Sequence, residues 1–163
     1  MGDDGIGPFA IKMLESQYNF PAGVELLDLG TPGLDLPIYL SGADALIIID
    51  AAQFEGEPGS VCLFRKQDVR RDAHIIRTDP HSPALHESLC LVELTGEMPS
   101  EFLLVGVKGT CFELGSCIAT PVRLAMPQIA TAVLRELERL CVPYWPAASA
   151  RQPDIWWEAK SCV

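Results

Sequence analysis

Histidine is scarce in this 163-residue chain, with three residues, and basic side chains are outnumbered by acidic ones, 12 Lys and Arg against 22 Asp and Glu. A net charge of −10 with a pI near 4.6 argues against a nucleic-acid partner, because phosphate backbones are gripped by Lys and Arg clusters. The nearest basic run, Arg65-Lys66 and Arg70-Arg71, is interrupted by Asp68 and Asp72 and reads as a solvated surface. No apolar stretch approaches the roughly 20 residues that cross a bilayer. The opening Met1-Gly2-Asp3-Asp4 is acidic, unlike a signal peptide, so a cytoplasmic protein without membrane insertion is expected. Among the six cysteines (Cys62, Cys90, Cys111, Cys117, Cys141, Cys162) no C-x-x-C pair occurs, which removes zinc knuckles and redox dithiols. The expectation is six reduced, mostly buried small hydrophobes. H-E-x-x-H, G-x-S-x-G and G-x-x-x-x-G-K-[ST] are absent too, against zincin, serine-hydrolase and P-loop chemistry.

What the chain has is the material for one ordinary core. Hydrophobic residues make up 48% and charged residues 21%. A domain of this length buries roughly two thirds of its unfolded surface. Ile6, Phe9, Ala10, Met13 and Leu14 fall on one face at helical spacing, predicting a helix from Ile6 to Tyr18 with Pro8 tolerated in its first turn. A strand is expected at Val24 to Leu29, then a short helix from Leu34 to Leu40. The apolar run Ala45 to Asp50 reads as a strand buried on both faces. Ser60 to Phe64 and Phe102 to Val107 are further strands, with helices over Pro83 to Leu94 and Pro121 to Leu140. Alternation of this kind indicates an α/β three-layer sandwich around a mostly parallel twisted sheet. The domain is taken as residues 1–140, with 141–163 a flexible or loosely docked tail.

Loops leaving the carboxyl ends of parallel strands collect on one rim, where such folds place their sites. Asp50 closes the most apolar strand, though an Asp there serves equally well as a cap of the next turn. The turn Gly2-Asp3-Asp4-Gly5-Ile6-Gly7 runs into a helix N-terminus, a position that ordinarily cradles anions. Two carboxylates reverse the preferred guest to a cation, which disfavours a nucleotide loop and a flavodoxin-like cofactor binder. Either Asp could simply cap the helix, a role that suits Asp3 better. His81 follows Pro80 on a loop, and a lone loop histidine is ordinarily a surface residue; His86 is expected on an exposed helix side, and His74 has no partner visible in sequence. Two carboxylates and an imidazole on a common rim would suit a divalent transition metal such as nickel or zinc.

Taken in order, Gly2-Asp-Asp-Gly-Ile-Gly-Pro8, Asp28-Leu-Gly-Thr-Pro-Gly-Leu34, Leu46-Ile-Ile-Ile-Asp-Ala51, Glu57-Pro-Gly59, Pro80-His81, Leu94-Thr-Gly-Glu-Met-Pro99 and Leu104-Val-Gly-Val107 resemble the nickel–iron hydrogenase maturation proteases across roughly residues 1 to 140. The resemblance implies a phosphorylase/hydrolase-like α/β fold. It also implies an aspartate-type, nickel-recognising endopeptidase, a monomer, that removes the C-terminal extension of a large-subunit precursor. By matching motifs, Asp4, Asp50 and His81 become both the catalytic and the metal-contacting residues. The nickel arrives in the substrate, with no organic cofactor. Gly30-Thr31-Pro32-Gly33 would line the substrate groove and pair with an extended peptide. A non-catalytic module that binds the nickel site or the precursor is the alternative on the same scaffold. Family members begin with a hydrophobic strand ahead of the glycine turn, whereas this chain starts inside the turn. The expectation is therefore a missing first central strand, a truncated or misplaced start at Met1, and an Asp4 hanging from a free terminus.

Overall fold

The computed structural model describes residues 2–30, 35–40, 42–71, 85–113, 115–149 and 152–155, with side chains described from Ser88 onward in the stretch that opens at 85. A 3-10 turn, Gly2–Gly5, leads directly into α1, Ile6–Gln17. Pro8 sits in the first turn of α1, where its missing N–H removes no intrahelical bond. There follow β1 (Tyr18–Asn19), α2 (Leu36–Leu40), β2 (Ala45–Ala52), β3 (Val61–Arg65) and α3 (Lys66–Arg71). The chain continues through α4 (Leu85–Thr95), β4 (Glu101–Lys108), α5 (Thr120–Leu124), α6 (Met126–Arg139) and β5 (Trp145–Pro146).

β4 lies at the centre of a three-stranded sheet ordered β2-β4-β3. It pairs in parallel with β2, bringing Asp50 opposite Gly106, and antiparallel with β3, bringing Val61 opposite Val107. Side chains alternate between faces along each strand, and the packing follows that period of two. Ile47, Ile49 and Ala51 of β2 join Leu103, Val105 and Val107 of β4 in a core closed by α1, α5 and α6. Leu46, Ile48 and Ala52 join Phe102, Leu104 and Phe64 in a second core closed by α2, α3 and α4. Helices on both faces of the sheet make the three-layer α/β sandwich, and β4 is buried from Phe102 to Val107, whereas β2, at the edge of the described sheet, is only half-buried from Ala45 to Asp50 rather than buried on both faces as its apolar run predicts. Among the described residues no helix is long and apolar enough to cross a membrane.

Three expectations need correction. Val24–Leu29 forms no strand: Val24 N–H bonds the carbonyl of Pro21 at 2.9 Å, and the segment has no ladder partner among the described residues. Alternating apolar residues describe a face, but a strand also needs a neighbour to take its backbone groups. The single helix expected over 121–140 is two helices meeting at Ala125, because Pro127 supplies no N–H to carry the hydrogen-bond ladder across. The cysteines are neither all reduced nor mostly buried: Cys117 is disulfide-bonded, Cys90 and Cys141 are exposed, and Cys62 and Cys111 are half-buried. Part of the segment after 140 is tied down. Tyr18 and Asn19 pair antiparallel with Pro146 and Trp145, and Val142, Tyr144 and Ile155 pack on the first core.

Candidate functional site

β2 delivers Asp50 to its C-terminal end, although the strand runs two residues further, through Ala51 and Ala52. Asp50 is half-buried, and its Oδ1 accepts the N–H of Ala51 at 2.8 Å. Burial pushes its carboxyl up to about 7; the Ala51 N–H opposes the rise, and the charge of Asp4 adds to it. The Asp50 carboxyl thus feels a charge 46 positions away in sequence.

The Gly2–Gly5 turn packs against β2 and presents Asp4 to solvent while Gly2, Asp3 and Gly5 are buried. One turn later Gly7 allows α1 to lie directly on β2. A Cβ built there would stand 2.6 Å from the carbonyl oxygen of Ile49, the residue before Asp50. Gly7 thus serves close packing against the strand, and Gly2 close approach to the Cys111 carbonyl.

Asp3 departs from the reading that made it a helix cap. The cap position of α1 is Gly5, which makes no side-chain cap bond. Asp3, with 0% of its surface exposed, instead accepts hydrogen bonds on both oxygens from residues 107 to 116 positions away. For the same reason Asp4 does not hang from a loose end. Asp3 N–H also donates to the carbonyl of Cys111 at 2.6 Å, and Gly2 N–H to that of Ser116 at 3.1 Å.

Of the three residues singled out, the structure brings Asp4 and Asp50 together. His81 lies outside the described residues, as do His74 and Thr31 to Leu34, while His86 falls on α4. Gly30, the described end of the expected groove, turns through a positive φ with its N–H on Asp28 Oδ1 at 3.1 Å. The described residues contain no group of three or more His, Cys, Asp or Glu able to hold a metal ion. The exposed Asp4 carboxylate and the Asp50 carboxyl that its charge raises still form an arrangement that a divalent cation would relieve, so the donor chemistry fits one. α3 and α4, which flank residues 72–84, both pack on the sheet face that carries the even-numbered positions of β2.

The family described as hydrogenase maturation protease matches residues 8–136. A hydrogenase expression/formation protein of Azotobacter chroococcum mcd 1 is 35% identical over 139 residues, covering 84% of this chain and 66% of the relative. One from Azotobacter vinelandii is 33% identical over 154 residues, covering 93% of this chain and 72% of the relative. The chain therefore spans about two thirds to three quarters of the length of these relatives. Among solved structures, a hydrogenase maturating endopeptidase from Escherichia coli superposes with a TM-score of 0.80 at 29% identity, covering 91% of each chain.

Proposed function

Because the chain belongs to the hydrogenase maturation protease family, we propose that it is an endopeptidase that removes the C-terminal extension of a nickel-loaded large-subunit precursor of a nickel–iron hydrogenase. The observation that carries this reading is the pair of unlike carboxylates. Asp4 stands exposed on an anchored turn, and Asp50 beside it has a carboxyl raised to about 7. A carboxyl that titrates near neutrality is suited to moving a proton at working pH.

In this reading the nickel is part of the substrate, and Asp4, Asp50 and His81 are the residues that meet it. Bound there, the ion supplies Lewis-acid polarisation of a carbonyl or a more acidic water. On meeting the ion Asp50 would give up its proton, and Asp4, which faces solvent, is the candidate base for the attacking water. Both are held by elements whose packing is independent of the substrate, so little has to reorganise when it arrives.

The test is incubation of the purified protein with a nickel-loaded large-subunit precursor, followed by mass spectrometry of the precursor. A product shortened at its C-terminus is expected, and replacing His81 with Ala should abolish it. Stable complex formation with no shortening would instead identify a precursor-binding module, and a fully active His81→Ala protein would remove His81 from the site.

A further inference from the structure

Asp3 is the most heavily bonded acidic side chain at the start of the chain, and the reading above gives it no task. Its Oδ2 accepts the N–H of Thr110 at 2.7 Å, the N–H of Cys111 at 2.8 Å and the Thr110 hydroxyl at 3.2 Å. Its Oδ1 accepts the N–H of Ala119 at 2.7 Å. A fully buried carboxylate is costly unless its lone pairs are filled, and here four neutral donors fill them. The three backbone donors lie on the connection between β4 and α5, one pair just after the strand and the third just before the helix. Gly2 completes the clasp: its φ is +53°, and a Cβ on it would lie 2.4 Å from the Cys111 carbonyl oxygen.

We propose that Asp3 is a positioning residue for Asp4, clamping the Gly2–Gly5 turn to the β4–α5 connection so that the adjacent carboxylate is aimed at Asp50. The inference rests on the role given to Asp4 under the proposed function. The geometry gives it content. With Asp3 pinned from two directions and Gly5 already the cap of α1, the residue between them has little freedom to swing. An amide at position 3 offers one acceptor oxygen in place of two, so Asp3→Asn must surrender either the Thr110–Cys111 bonds or the Ala119 bond.

With the precursor assay, Asp3→Asn is expected to lower kcat on the order of 10- to 100-fold at nearly unchanged KM, the scale of a small misplacement of a reacting group. The same substitution placed in an Asp4→Glu background should cost a factor about threefold smaller, because a residue that acts through its neighbour does not act independently of it. A purely structural Asp3 would cost the same factor in both backgrounds, and that result overturns the proposal. If the unaltered protein does not shorten the precursor, the proposed function fails, and the clamp is read directly. Amide hydrogen exchange of Asp4, Gly5, Thr110, Cys111 and Ala119 should accelerate together in Asp3→Asn, and unchanged protection at Asp4 and Gly5 refutes the clamp. Should Asp3→Asn not fold, Thr110→Val removes only the hydroxyl bond. Faster exchange at Asp4 and Gly5 in that variant is expected, and no change again counts against the inference.

Discussion

Gly7 illustrates how a single residue can run against its local preference for the sake of a site. Alanine in a helix interior is favoured over glycine by roughly 1 kcal/mol, so propensity alone says that Gly7→Ala should stabilise α1. The structure reverses the sign, since the added Cβ would press to 2.6 Å from the Ile49 carbonyl, a backbone atom that cannot turn aside. We expect Gly7→Ala to destabilise the protein by about 1–3 kcal/mol, measured by urea unfolding, and to impair cleavage by lifting α1 off the strand that carries Asp50. A stabilised variant would show that the helix and strand are not in hard contact. At this scale the positions of Asp50 on a strand and of Asp4 in a glycine turn were legible because a carboxylate closing an apolar run, and a second inside a glycine turn, are local patterns. Asp3 was not, because its partners Thr110, Cys111 and Ala119 lie in a stretch that no pattern in sequence connects to residue 3.

Among the elements, those defined by their own periodicity were read correctly and those defined by a neighbour were not. α1, β2 and β4 carry their burial pattern within themselves, whereas Val24–Leu29 has the right alternation but no described strand beside it. The break at Ala125 was visible in principle, since Pro127 sits inside the helical pattern and cannot extend it. Side-chain ties between elements were equally hidden. Glu136 on α6 is buried and accepts Arg65 Nη1 at 2.5 Å and Nη2 at 2.8 Å from the end of β3. Arg139 reaches the same carboxylate from one turn on and also holds Glu101 at the start of β4. One carboxylate therefore joins a helix to an edge strand and, through an arginine, to the central one. Replacing Glu136 with Gln should cost about 1.5–3 kcal/mol, the usual range for a charge-assisted bond, read as a lower unfolding midpoint. Because α1 and α6 share a core while Asp4 and Asp50 lie at another end of the sheet, cleavage by the folded fraction should be unaffected.

For the molecule as a whole, two carboxylates pull stability in opposite directions as pH changes. The Arg65 and Arg139 guanidiniums draw Glu136 down to about 2 from an ordinary 4.5. Between those values the unfolded chain takes up a proton that the native state refuses, so this contribution is complete above pH 4.5 and is lost as pH falls toward 2. Asp50 behaves in reverse, with its carboxyl raised from 3.8 to about 7. Across that window the native state keeps a proton the unfolded chain has released, so stability declines as pH rises from about 4 to about 7 and then levels off. The largest loss this one group can impose is about 4 kcal/mol. Thermal unfolding from pH 2 to pH 9 should accordingly show Asp50→Asn melting well above the unaltered protein at pH 8 and close to it at pH 4. Glu136→Gln should show the converse, a deficit at pH 6 that closes toward pH 2. If Asp50→Asn gives no gain at pH 8, its carboxylate is solvated after all, and proton transfer near neutrality has to be assigned to another group.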